Sequence, residues 1–186
     1  FDGGTVTATS VTLEQQDAAS NDVNFNSAFT HGNVTFTNVG DINVNAAVNL
    51  NGSGDISTTK DFNINDSLTV DATTTLTGRR FFINNGGSIN ASTALTLDAT
   101  YSGGTAIDLN TGGSLVTPTL TLRNTVAGGD MVFDGGTTTA TTLTLAQQGV
   151  NSNDITVNTN FSLTGTGVTF TNVGDINVNA AVNLNG

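Results

Sequence analysis

Residues 34–52 read VTFTNVGDINVNAAVNLNG, and residues 168–186 repeat those nineteen letters without a change. The duplication reaches outward from this stretch. Phe1-Asp2-Gly3-Gly4 returns as Phe133-Asp134-Gly135-Gly136, and residues 1–29 match residues 133–161 at 17 of 29 positions. Between the two matched blocks, FTHGNV at 29–34 becomes FSLTGTGV at 161–168, a slip of two residues. The repeat unit is therefore 132 residues: 1–132 is one full unit and 133–186 the first part of the next, continuous with it. No Pro-rich or charged linker separates them, so no globular domain boundary is expected. The chain opens on Phe and stops at Gly186, where the first copy runs on into Ser53-Gly54-Asp55, and it is expected to be a window on a longer one.

Within the unit, short apolar-x-apolar pairs recur: Val11/Leu13, Val23/Phe25, Val34/Phe36, Ile42/Val44, Val48/Leu50 and Phe62/Ile64. They continue as Leu68/Val70, Leu95/Leu97, Leu120/Leu122, Leu143/Leu145, Ile155/Val157 and Val168/Phe170. Alternate residues of a strand share one face, so each pair buries two side chains and turns Thr or Asn outward. Turns rich in Gly, Asn and Asp interrupt these strands every few residues. A looser signature runs from a Gly to a strand ending in Leu or Ile nine or ten residues on, from Gly4, Gly40, Gly54, Gly87, Gly113 and Gly136. Its spacing is irregular, so it marks more than one face.

A coil with a handful of buried Val, Leu and Ile gains about 1.5–3 kcal/mol for each. Ordering its backbone costs about 1–2 kcal/mol per residue. One coil alone does not fold, whereas coils stacked on each other share ladders and a continuous core. This predicts an all-β parallel β-helix, a β-solenoid of seven or eight rungs of about 22–26 residues. Each rung meets only its neighbours, which is why near-copies are tolerated in tandem. Tandem β-sandwich domains, one per repeat, are the rival architecture, although sandwiches show longer alternating strands.

Composition agrees with an all-β chain: 35 Thr, 25 Asn and 22 Gly suit pleated surfaces and tight turns. Four Lys and Arg stand against fifteen Asp and Glu, a net charge of -11. That balance excludes nucleic acid, which demands clustered basic residues, and disfavours an anionic bilayer. Apolar runs never exceed three residues, so no membrane insertion is expected. Without cysteine there are no disulfides and no thiolate metal sites.

The strings GSINASTALTLDAT, GDISTTKDFNINDSLTVDATTTLTG and AIDLNTGGSLVTPTLTLRN resemble the β-helical shafts of large bacterial exoproteins of the filamentous-haemagglutinin type. That resemblance, carried by composition and rhythm, implies a right-handed parallel β-helix, export by two-partner secretion, and work as an extracellular adhesin or fibre. The family's secretion domain has no counterpart in this stretch.

No catalytic, cofactor-binding or metal-ligating residue is predicted. His31 is the sole histidine, and the second copy lacks it. Glu14 is the sole Glu, and the acids are dispersed, which weighs against a carbohydrate-active enzyme. Asp2 and Asp134 in the two FDGG turns, with Asp130 nearby, offer oxygen ligands for Ca2+, against a reading as solvated corners. Arg79 and Arg80 are expected to pair with an Asp on an adjacent rung. Asn-x-Ser/Thr triplets at Asn33, Asn51, Asn65, Asn90 and Asn160 are no more than composition produces. Thr-x-Thr strings raise ice binding as an alternative, and Asn is expected to stack in ladders between rungs. The function expected is a non-catalytic structural and adhesive shaft of an extracellular or cell-surface fibre. Its expected partners are neighbouring repeats, further copies end to end or laterally, and a surface glycan or protein receptor.

Overall fold

Each apolar-x-apolar pair forms or adjoins a strand of two to six residues that sends alternate side chains into one shared interior. A computed structural model of the protein describes residues 1–15, 21–147, 153–159, 161–164 and 167–185. Among these residues there are 24 strands and no helix. Every strand pair is parallel.

The strands fall into eight successive triplets, and the members of a triplet lie on three different faces. The second face is an eight-stranded ladder from Val23–Phe25 to Ile176–Val178. The third, also eight-stranded, runs from Phe29–Thr30 to Val182–Asn185. The first is split: Val11–Glu14 pairs with Val34–Thr37, and a six-stranded ladder runs from Ile56–Ser57 to Gly167–Thr171. This is the expected parallel β-solenoid, three-sided, and its parallel pairing is incompatible with sandwich beads built from antiparallel sheets.

Register partners on the second face give rungs of 19, 20, 19, 26, 24, 24 and 21 residues. The first three, and by one residue the last, are shorter than the expected 22–26, and for the first three the difference sits mostly at one corner. Only Arg79 and Arg80 separate Gly78 from Phe81, whereas residues 100–106 separate their register partners Ala99 and Ile107. Val23 and Ile155 hold the same place in the two copies, six rungs apart along the ladder. The 132-residue sequence repeat is therefore a whole number of turns. The glycine signature returns only five times per unit because it mixes corners. Gly87 and Gly113 each precede a third-face strand, Gly40 precedes a second-face strand, and Gly54 a first-face strand.

All twelve apolar pairs point inward. The core is one cluster from Val23 to Val157, with Val11, Leu13, Phe36 and Val168 packed against it. Phe62 and Phe81 stack with ring centroids 4.9 Å apart and planes 7° from parallel. Where rungs come closest, only glycine fits. A Cβ on Gly113 would lie 2.5 Å from the Ile83 carbonyl oxygen of the rung below and 3.1 Å from that of Asn110. Gly113→Ala is thus expected to destabilise the fold by about 1–3 kcal/mol through overpacking. Thermal unfolding followed by circular dichroism measures this, and an unchanged Tm would contradict so close an approach.

Candidate functional site

The functional surface of a solenoid is its stacked outer columns, and three are built from residues singled out in the sequence. At the corner after the second face, each asparagine donates its amide to the residue one rung below. Asn26 Nδ2 reaches Asp2 Oδ1 at 2.7 Å, Asn45 reaches Asn26 at 2.8 Å, and Asn65 reaches Asn45 at 2.8 Å. Asn84 follows on Asn65 at 2.8 Å and Asn110 on Asn84 at 3.1 Å. The next position is Asp134, from which a new run starts with Asn158 at 2.8 Å and Asn179 on Asn158 at 2.8 Å. One aspartate and five asparagines thus fill the six rungs of a unit. A shorter ladder joins Asn24, Asn43 and Asn63 on the second face. The FDGG carboxylates of Asp2 and Asp134 are accordingly engaged as the acceptors on which amide runs begin.

At the corner before the second face stands a column of aspartates. Asp22 Oδ1 accepts the Asp41 N–H at 2.9 Å, and Asp41 Oδ1 accepts the Asp61 N–H at 3.0 Å. Asp130 receives Asp154 and Asp154 receives Asp175 in the same way, each at 2.9 Å. Asp130 is therefore engaged in this column rather than paired with Asp134. Between the two runs, Arg79 and Arg80 converge on Asp61. Arg79 donates through Nε and Nη2 at 2.8 Å each, and Arg80 through Nε at 3.0 Å. Both guanidinium groups lie against the Tyr101 ring, and Arg80 also covers Phe82. Burial raises the Asp61 pKa, but the hydrogen bonds and charges of the two arginines outweigh it and hold the carboxyl below its ordinary value. Its stabilising contribution is full above the unfolded value and is lost as pH falls through the folded one.

Asp108 is in the opposite state. It faces outward between its register partners Phe82 and Val132, and its Oδ1 is buried without a hydrogen-bond partner. Burial and then the charge of Asp134 raise its pKa, opposed by a hydrogen bond with Asn110. The folded state disfavours the carboxylate, so the penalty is absent below the ordinary aspartate pKa and grows as pH rises through it towards the folded value. Asp108→Asn is expected to stabilise the protein by about 1 kcal/mol at pH 7, by removing a poorly paired buried charge. The gain should vanish at pH 3, and Tm measured at both values reads the difference.

Other residues marked in the sequence lie apart. His31 has Nε2 3.1 Å from the Ala8 carbonyl oxygen and Nδ1 beside the Gly32 carbonyl oxygen, either of which can accept its ring N–H, with the ring against Phe29. Glu14 is exposed at the end of a first-face strand. Asn33 and Asn51 sit at exposed corners, Asn90 lies on the third face, and Asn160 is outside the described residues. Asn65 already donates within its ladder. No group of three or more His, Asp or Glu that could hold a metal ion occurs among the described residues.

Threonines on the first face line up more regularly than the linear spacing suggests. Thr75, Thr96, Thr121, Thr144 and Thr169 form one outward column in unbroken register. The columns on either side are interrupted by Ala94 and by the Asp98–Arg123 ion pair. Rungs of unequal length hid this order, since the extra residues lie at corners. Comparison with protein-family models, curated proteins and solved structures finds no match for this chain.

Proposed function

We propose that the chain is a non-catalytic structural and adhesive shaft, a segment of a long extracellular or cell-surface bacterial fibre. The observation that carries this reading is the equality of one sequence repeat with six complete rungs. Units that begin and end in the same phase can be joined without rotating the register of any face, so chain length converts directly into reach. The outer columns support the same reading, since Asn and Asp bond from rung to rung along the axis and stiffen it. The net charge of -11 keeps neighbouring shafts hydrated and apart. The resemblance to haemagglutinin-type shafts points to export and to adhesion through a surface glycan or protein receptor.

Chains of one, two and three tandem units test the mechanical core of this reading. With rungs about 4.8 Å apart, each added unit should lengthen the particle by about 29 Å. Small-angle scattering and electron microscopy measure that increment. Particles that thicken or bead instead of lengthening would end the shaft reading.

The unbroken threonine column favours a second reading, ice binding, in which a flat array of hydroxyl and methyl groups orders water. Thermal hysteresis of the purified chain separates the two, because a shaft produces none.

A further inference from the structure

Of the three faces, the third alone carries no charge in its strands. None of its eight strands contains an acidic or basic residue. The first face carries Glu14, Asp98 and Arg123 in its strands, and the second Asp108 and Asp130. Carboxylates at the rim of the third face are tied back onto the chain. Asp66 Oδ1 accepts the Ser67 N–H at 2.6 Å, and Asp71 accepts the N–H groups of Gly52 and Gly54.

The outward positions of this face form two columns, Ser67, Ser88, Ser114 and Thr137 in one and Thr69, Asn90, Val116 and Thr139 in the other. Val116 interrupts a surface of hydroxyls and amides, and it is 39% exposed. Among the described residues, the other large apolar side chains as exposed as this one belong to the first and last turns. Beside Val116 the corner towards the first face is hollowed out by small residues. Ala91, Thr117 and Ala140, all buried, stack as the floor, and Ser92, Pro118 and Thr141 stand along the far side. The open groove so formed crosses three rungs and measures about 350 Å³. An exposed apolar side chain next to an apolar-floored groove is complementary to itself about a twofold axis.

A chain of net charge -11 repels its own copies wherever carboxylates face each other. Charge therefore keeps shafts apart on two faces but not on the third. We propose that the third face pairs laterally with the third face of a second copy, each Val116 seated in the other's groove beside Pro118 and over Ala91 and Ala140. The outward columns offer an ionic partner no counter-charge and a sugar no ring to stack on. A like-charged copy suffers from neither lack, and interface cores are depleted of charge in general. Six whole rungs per repeat also return the groove to the same side of the rod in every unit, so two tandem chains meet in phase along their length.

The footprint sets how strong the pairing is. Eight strands of three residues present a flat area of about 34 Å by 10 Å, or about 340 Å² per copy. Stable pairs bury about 800 Å² on each partner, so one chain pairs weakly and about three tandem units pair firmly.

The inference rests on the solenoid and goes beyond the shaft reading, and its test separates the two. Sedimentation velocity should show the full chain dimerising only at high concentration, and a three-unit chain doing so at a concentration at least tenfold lower. Added salt should strengthen the pair, because it screens the repulsion between two acidic rods. Val116→Asp in every unit should leave a monomer with an unchanged Tm, whereas Ser57→Asp on the first face should still pair. The chain has no cysteine, so Val116→Cys and Ser57→Cys each give a single thiol, and neither depends on the Asp variant folding. A short bis-maleimide should join the 116 variant to itself at least tenfold faster than the 57 variant. Equal rates at the two positions, or pairing that survives Val116→Asp, overturns the proposal by placing the contact elsewhere. Pairing that salt dissolves overturns it too. Three-unit chains that lengthen as rods but stay single would remove the pairing, leave the shaft, and make the groove a seat for a different partner.

Discussion

Deleting residues 81–106, one complete rung, is expected to give a folded solenoid one rung shorter, whereas deleting residues 81–93 is expected to destroy every rung beyond Arg80. The first deletion joins Arg80 to Ile107. Ile107 is the register partner of Phe81, so the second-face ladder closes over the gap with its inward positions preserved. On the first face, Leu76 would then meet Leu122 in place of Leu97, an exchange of like for like. On the third, Leu68 would meet Leu115 in place of Ile89. The Asp61 clamp keeps both arginines and loses only the Tyr101 and Phe82 rings. The second deletion joins Arg80 to Ala94 and sends a first-face strand into a second-face place. Two strands are lost, so every later strand falls two places early along the coil, against the wrong partner. Scattering should show the whole-rung variant shortened by about 4.8 Å with a cooperative melt. Hydrogen exchange should show the half-rung variant unprotected after residue 80. Equal damage from both deletions would mean that rungs are not the unit of folding.

Phe62→Ala should be the most damaging single truncation, at about 3–5 kcal/mol. Phe62 is fully buried and its ring lies flat on Phe81, but the space it fills is also reserved by a glycine. A Cβ on Gly78 would lie 2.8 Å from Phe62 Cδ2, so the first-face column has its smallest member where the second face has a large one. Upward from Gly78 that column passes through Ala99, Asn124 and Gln147, none of which faces a comparable ring stack. Truncation therefore leaves a void with glycine on one side and an unstacked Phe81 on the other, and neither wall can move in to fill it. Denaturant unfolding measures the loss, and a change below 1 kcal/mol would mean that the rung collapses freely. Gly78→Ala on the Phe62→Ala background should recover part of it, because the added methyl points into the vacated volume.

The inward face of each rung was legible in the sequence, because a strand's period of two survives in segments as short as Val23–Phe25. The expected seven or eight rungs match the eight-stranded ladders, but the phase of the rungs was not legible. The glycine signature recurs for different reasons at different corners, close backbone approach at Gly40, Gly87, Gly113 and Gly136 and positive-φ turns at Gly4 and Gly54, so counting it gave five per unit where the ladder has six. Ile107/Leu109 and Met131/Phe133 went unmarked as inward pairs although they fill the second face of two rungs. The pairing of Arg79 and Arg80 with an adjacent aspartate was readable because only four basic residues occur in the chain. The columns were harder to see. Asn65 and Asn84 bond at a sequence distance of 19 and Asn84 and Asn110 at 26, so no fixed spacing reveals their alignment. The same inequality concealed the threonine column and the isolation of Asp108.

The aspartate that opens each amide run has one more effect. A carboxylate only accepts, so Asn26 must point its NH2 group at Asp2, which leaves its own oxygen facing the next rung. Asn45 is then obliged to do the same, and the choice passes upward through Asn65, Asn84 and Asn110. Five side-chain dipoles per unit are locked head to tail, and Asp134 restarts the sequence with the same sense. The rod consequently carries an electrical direction as well as a chemical one. Units added in tandem sum these side-chain dipoles instead of cancelling them, so the two ends of a long particle differ electrically as well as in sequence direction.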